Sequence, residues 1–392
     1  MINYENILTD TIQQIPPSGI RKFFDLVSTM DGAISLGVGE PDFVTPWAIR
    51  EAGIYSLEKG RTYYTANAGL FELRQEISNY NKRKFGIEYN PKNEILVTVG
   101  GSEAIDLMIR CLVKPGDEIL IPEPSFVCYK PCTIVAGGVP VPIQTREENS
   151  FRLLPEQLKE KITDKTKLLI LPYPNNPTGS IMSRADLEAI AEVLRGTDIM
   201  VLSDEIYGEL RYDEEGHTPF SAIDGMRERT VVVNGFSKTF AMTGWRLGYA
   251  LGPAPIIKAM TKLHQYGIMS SPTTSQFAAI EALKSCDSDV ENMVSEYNYR
   301  RRFILDGFRN MGLSCFEPLG AFYVFPCIKP LGMTSEEFAN RLLEEEKVAV
   351  VPGNAFGASG EGFIRCSYAY SIDNIKEALV RIGHFVEHHK KQ

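Results

Sequence analysis

Apolar residues along this chain fall into two alternating periods. Short, nearly unbroken aliphatic and β-branched runs recur at 95–99, 118–121, 140–143, 167–171, 199–203 and 230–234. Between them lie stretches with apolar residues three and four apart, at 102–112, 124–135, 154–161 and 184–194. Runs of the first kind read as strands buried on both faces, and stretches of the second as amphipathic helices. Their alternation predicts an α/β fold with a mostly parallel sheet covered by helices on both faces.

The flanking segments follow the same logic. Residues 20–30 carry helical spacing at Ile20, Phe23, Phe24 and Val27, and 33–38 read as a short strand. Pro46 suits the first turn of a helix over 46–57, and 71–85 is amphipathic. Beyond the central region, helices are expected at 255–263 and 274–283, then a long polar one at 290–311. Shorter strands at 321–325, 348–350 and 363–367 alternate with helices at 335–345 and 373–386. These predict a large domain over 46–288. Residues 1–45 and 289–392 would form a smaller α+β domain, with the long polar helix as the bridge.

Composition narrows the class of protein. Of 392 residues, 44% are hydrophobic and 23% charged, an ordinary globular balance. The net charge of −9 argues against nucleic acid as a partner, since phosphate backbones demand clustered basic residues. No apolar run is long enough to span a bilayer. The opening residues show no basic segment followed by an apolar one, so no secretory signal is expected. The seven cysteines are scattered and read as reduced thiols of a cytoplasmic protein. Cys128 and Cys132 are close but lack partners for a zinc set, so no metal is expected.

One stretch stands out, Thr230-Val-Val-Val-Asn-Gly-Phe-Ser-Lys-Thr-Phe-Ala-Met-Thr-Gly-Trp-Arg246. A β-branched run ends in a turn that presents Lys238, with Arg246 eight residues later. A lysine held out of water near other cations loses its proton more readily and becomes a nucleophile toward carbonyls. A lone lysine after a strand is otherwise most simply a solvated one. Two more strand ends lead to polar loops, at Asn176 and Asp204. Ends on one edge of a parallel sheet face a common crevice, so the three loops are expected to meet. Asp204 also reads as a helix N-cap opening at Glu205.

Other chemistries lack their motifs. Gly37-Val38-Gly39 is followed by Glu-Pro-Asp, not by the third glycine of a dinucleotide fingerprint, and no Walker-type loop is present. Gly100-Gly101-Ser102-Glu103-Ala104 fails as a hydrolase elbow at its last position.

Nearly the whole chain resembles the class I pyridoxal-phosphate aminotransferases of aspartate/aromatic type (fold type I), most of all those of Gram-positive bacteria. The resemblance rests on Ser237-Lys238 with Gly244-Trp245-Arg246. It also rests on the runs 35–43, 175–179 (Asn-Asn-Pro-Thr-Gly), 203–207 (Ser-Asp-Glu-Ile-Tyr) and 363–367 (Phe-Ile-Arg-Cys-Ser), all in the family's order. It implies a sheet of seven-stranded type and pyridoxal 5′-phosphate as cofactor.

It also implies residue roles. Lys238 would carry the cofactor as a Schiff base and then act as general base. Asp204 would hold the pyridinium N–H, and Tyr207 and Asn176 would donate to the ring oxygen O3′. Phe126 would stack on the ring. Gly101, Ser102, Ser237 and Arg246 would bind the phosphate. Tyr64 would reach the phosphate of a neighbouring subunit, which implies a homodimer. Gly39, Asn176 and Arg365 would bind the substrate, Arg365 through its α-carboxylate.

Two departures are visible. Gly235 stands where many relatives have a hydroxyl, and Ser102 stands where aspartate-specialised bacterial relatives often have a lysine. The activity implied moves the α-amino group of an aromatic, dicarboxylic or broader range of L-amino acids to a 2-oxo acid, with 2-oxoglutarate as acceptor. A β-eliminating carbon–sulfur lyase on the same fold would use the same residues.

Overall fold

The computed structural model describes residues 7–17, 30 and 32–390. The helix expected over 20–30 lies outside these, save for Met30.

The main sheet has seven strands. They are β2 (Ile95–Thr98), β3 (Glu118–Glu123), β4 (Val139–Gln144), β5 (Thr166–Leu171), β6 (Met200–Asp204), β7 (Thr230–Gly235) and β8 (Gly248–Leu251), after a short β1 (Ile34–Ser35). The order is β2-β8-β7-β6-β5-β3-β4. Five strands, β3 to β7, run parallel, while β8 is antiparallel to both β7 and β2. The mostly parallel sheet is therefore present, but β8 has no counterpart in the apolar pattern. It is four residues long and follows a loop of mixed character, too short for a period to show.

Alternate residues of each strand enter different cores, which is why the runs look uniformly apolar. Leu168 and Ile170 pack with Leu202, Val231 and Val233 beneath the helices Gly101–Leu112 and Ala254–Gly267. Leu169, Leu171 and Val201 pack on the opposite face with Leu187, Ile190 and Leu194 of the helix Arg184–Leu194. Burying a Leu or Ile side chain contributes about 1.5–3 kcal/mol. A polar residue at any of these positions would therefore be costly.

The remaining strands are short. β9 (Tyr323–Val324), β11 (Val351–Pro352) and β12 (Ile364–Ser367) form one antiparallel sheet in the order β11-β12-β9. β10 (Val348–Ala349) pairs in parallel with β1, so residues near the N-terminus join the C-terminal part. The helix Asp287–Asn310 is 24 residues long and buries Val290, Tyr297, Ile304 and Phe308 despite its polar composition. Arg300 on it binds both oxygens of Asp42 at 2.8 and 2.9 Å. That pair fixes the loop that follows β1.

One helix is shorter than its spacing suggests. Of the stretch 124–135, only Tyr129–Val135 is helical. Ser125 instead donates its N–H to the Phe356 carbonyl at 3.0 Å, an out-of-segment bond that a continuing helix would not make. Likewise no helix opens at Glu205; residues 206–209 form turns.

Candidate active site

β5, β6 and β7 are neighbours, and the loops after their C-terminal ends meet as expected for an open parallel sheet. They enclose a cavity of about 520 Å³. Gly39, Gly101, Ser102, Phe126, Asn176, Asp204, Tyr207, Ser237, Lys238, Arg246 and Arg365 all line it. Tyr64 does not; its side chain lies elsewhere and is 79% exposed.

Asp204 ends β6 and is buried. Its Oδ2 accepts the Tyr129 hydroxyl at 2.6 Å and its Oδ1 accepts the Ile206 N–H at 3.2 Å. The second bond caps a turn, which is what remains of the N-cap reading. Burial pushes the carboxyl up to about 6, against the pull of Tyr129 and the Ile206 N–H. Among the described residues it forms no ion pair. A buried carboxylate of this kind gains most from a cation brought into the cavity.

Lys238 lies three residues past β7, and its Nζ donates to the Gly39 carbonyl at 2.5 Å. Burial lowers its amine to about 8; Glu40 opposes this, and Arg365 and Arg246 add to it. The amine is thus partly neutral near pH 7.5 and able to attack a carbonyl.

Arg365, on β12, is 2% exposed. One Nη donates to Asn176 Oδ1 at 2.9 Å and the other to the Gly37 carbonyl. Its guanidinium lies 4.6 Å from the centre of the Tyr323 ring and 4.8 Å from that of Phe356. Its Nε has no partner, and among the described residues it has no carboxylate. An incoming carboxylate would satisfy both the charge and the fork geometry. Asn176, whose oxygen serves Arg365, keeps its amide N–H groups for a second acceptor.

The end of the cavity next to Gly101 and Arg246 is shaped by close backbone contact. Gly101 opens the helix Gly101–Leu112, so its free N–H groups face the cavity. The Arg246 guanidinium packs against Gly100: a Cβ built there would stand 2.8 Å from Nη2. Gly248 on β8 lies opposite Gly235, and a Cβ on it would come within 2.6 Å of the Gly100 carbonyl carbon and 2.7 Å of the Gly101 nitrogen. A Cβ on Gly235 would in turn sit 3.0 Å from Gly248 Cα. Gly235 thus sits where β7 and β8 pack closely, so a side chain there would press on Gly248. Ser102, Thr243 and buried Ser237 are the serine and threonine hydroxyls that line the cavity.

Sequence reasoning missed two residues. Tyr129 is the hydrogen-bond partner of Asp204. Tyr323 shares a 2.8 Å hydroxyl contact with Tyr207 and packs on Arg365. Burial raises the Tyr207 hydroxyl well above its usual range, so it enters as a donor rather than a phenolate. Neither residue stood in a recognisable motif.

These features fit pyridoxal phosphate. The cavity offers a buried acid suited to a ring nitrogen, an activated amine suited to an aldehyde, and a helix head with Arg246 suited to a phosphate. The unpartnered Nε of Arg365 leaves room for a substrate carboxylate.

The sequence profile of the family described as aminotransferase class I and II matches residues 31–382. An aspartate aminotransferase of Pyrococcus abyssi is 47% identical over 96% of this chain and 97% of its own. Aromatic-amino-acid aminotransferase 2 of Thermococcus litoralis is 44% identical over 96% of this chain and 97% of its own. The solved structure of an aspartate aminotransferase from Thermus thermophilus with maleate superposes with a TM-score of 0.92 at 37% identity, covering 98% of this chain and all of that one.

Proposed function

The chain belongs to the class I and II aminotransferases, pyridoxal-phosphate-dependent enzymes, and from that footing we propose that it passes the α-amino group of an L-amino acid to a 2-oxo acid through Lys238. The observation that carries this reading is that Lys238, Asp204 and Arg365 face one cavity, each without an ion-pair partner among the described residues.

When bound, pyridoxal phosphate supplies an aldehyde for an amine and a ring that accepts the electron pair left at the substrate Cα. The Asp204 carboxylate would hold the ring nitrogen's proton. Tyr207 and Asn176 would donate toward the ring oxygen, and Phe126 would cover the ring face. Gly101, Ser102, Ser237 and Arg246 hold the phosphate. Arg365 grips the α-carboxylate and, with the Gly39 loop, aims the Cα–H at Lys238. The buried Lys238 amine, lowered to about 8, would be the base that takes that proton.

The donor range we propose is aromatic, dicarboxylic or broad, with 2-oxoglutarate as acceptor; the relatives named above carry both aspartate and aromatic names. No observation favours the carbon–sulfur lyase reading. Single half-reactions with a panel of amino donors, followed through the cofactor's visible band, test the proposal. Loss of the band with the matching 2-oxo acid as product supports it. Free ammonia as product, or no response to any donor, would overturn it.

Arg365→Leu is expected to raise KM for amino and oxo acids roughly ten- to a hundredfold, the range for a lost charge-assisted bond. Cofactor affinity should change little. Steady-state kinetics beside a cofactor titration check this; equal losses would assign Arg365 to the scaffold.

The depressed Lys238 amine sets a pH dependence. Because its pKa is lowered to about 8, the neutral nucleophile accumulates as pH rises to that point, not to 10.5. Stopped-flow capture of the cofactor by apoenzyme should climb between pH 6.5 and 8 at about tenfold per unit and then level.

We also propose a homodimer in which exposed Tyr64 completes the partner's phosphate site. The division proposed is 46–288 against 1–45 with 289–392, in a cytoplasmic setting that suits seven free cysteines. No helix among the described residues is long and apolar enough to cross a membrane. Sedimentation of the active enzyme at monomer mass would remove Tyr64 from the site.

A further inference from the structure

The helix Gly101–Leu112 heads the proposed phosphate cradle, yet its third residue is an acid, Glu103. A carboxylate in the first turn competes with a bound anion for the same N–H groups and the same positive helix end. In this protein the competition is held off by geometry. Glu103 Oε2 accepts the Val99 N–H at 2.5 Å, one residue before the N-cap Gly100. Its Oε1 lies 2.6 Å from Nδ1 of His264, which belongs to the packed helix Ala254–Gly267. His264 is wholly buried, and its Nε2 has no partner. A carboxylate oxygen accepts, so His264 Nδ1 carries the hydrogen of this contact and donates it to Glu103.

We propose that His264 is a positioning residue: it pins the Glu103 carboxylate against Val99 and keeps it off the N–H groups that bind the cofactor phosphate. Two bonds, one to each oxygen, define the carboxylate's direction. Remove the histidine donor and only the Val99 bond remains. The side chain then turns onto the head of its own helix and occupies the cradle as an internal anion. Neither Glu103 nor His264 lines the cavity. Their effect is confined to the phosphate, so it is separable from the ring and aldehyde contacts.

This inference rests on the reading of the cavity as a pyridoxal-phosphate site, and the test separates the two. Apoenzyme is titrated with pyridoxal phosphate and with pyridoxal, which lacks the phosphate. The ratio of the two Kd values reports phosphate recognition alone. In the wild type a large ratio is expected; a ratio near one would sink the cavity reading itself. In His264→Leu the ratio should fall about tenfold, the order of one carboxylate moving onto a helix end. His264→Asn keeps an amide N–H near the Nδ1 position and should retain most of the ratio. The double variant His264→Leu with Glu103→Gln removes the competing charge and should restore it. His264→Phe serves as a second apolar replacement should the leucine variant melt too low to titrate. An unchanged ratio in the apolar variants, or equal weakening of both ligands with no rescue by Glu103→Gln, would overturn the proposal.

Discussion

Lys238→Ala is expected to lower turnover by more than about 10⁴-fold, because a nucleophile and a general base vanish together. The loss should appear in kcat, while the fold and the noncovalent pull of the cavity survive. Three features of the site would remain: the helix head with Arg246, the buried Asp204 and the unpaired Arg365. Cofactor should therefore still bind, more weakly and without its covalent spectrum. Exogenous small amines should restore part of the activity, since they can fill the space and act as base. Lys238→Arg fills the space but offers no neutral amine, so it should stay as slow as alanine. Near-normal turnover in either variant would remove Lys238 from the chemistry.

Asp204→Ala carries the second large effect. The carboxylate is buried at the end of β6 with two hydrogen bonds and no cation. In the cofactor-free protein burial pushes it up to about 6. A protonated ring nitrogen would supply the missing charge, and breaking such a buried pair costs about 3–5 kcal/mol. A fall in kcat of roughly a hundred- to a thousandfold is expected, with the melting temperature little changed. The sign of the pH effect follows. Below about pH 6 the free-state carboxyl takes up a proton, so cofactor binding weakens as pH falls through that value. Asp204→Asn should bind weakly at every pH and lose that acid limb. Full activity in a folded Asp204→Ala protein would reject the electronic role.

How much of this was legible in the chain depends on the range of each interaction. Lys238, Asp204 and Asn176 could be placed because each ends or follows a buried strand, and strand ends on one side of a parallel sheet share a crevice. The apolar runs were readable because both faces of β5, β6 and β7 are covered, so no polar residue interrupts them. The contacts of Tyr129 with Asp204 and of Tyr323 with Tyr207 span 75 and 116 residues. No local period encodes such pairs. The same holds for Glu103 and His264, 161 residues apart. Gly235 left the hydroxyl partner open in sequence, and its tight packing shows only once Gly248 stands opposite it. The shortening of the 124–135 helix has a similar origin, since the Phe356 carbonyl that holds Ser125 arrives from the far end of the chain.

The central claim is that one amine, Lys238, holds the cofactor. Reduction of cofactor-loaded enzyme with sodium borohydride, followed by proteolysis and mass spectrometry, tests it directly. The account predicts a pyridoxyl mass on Lys238 at close to one per chain. A label on a different lysine, or an unlabelled Lys238 peptide from fully loaded protein, would contradict it.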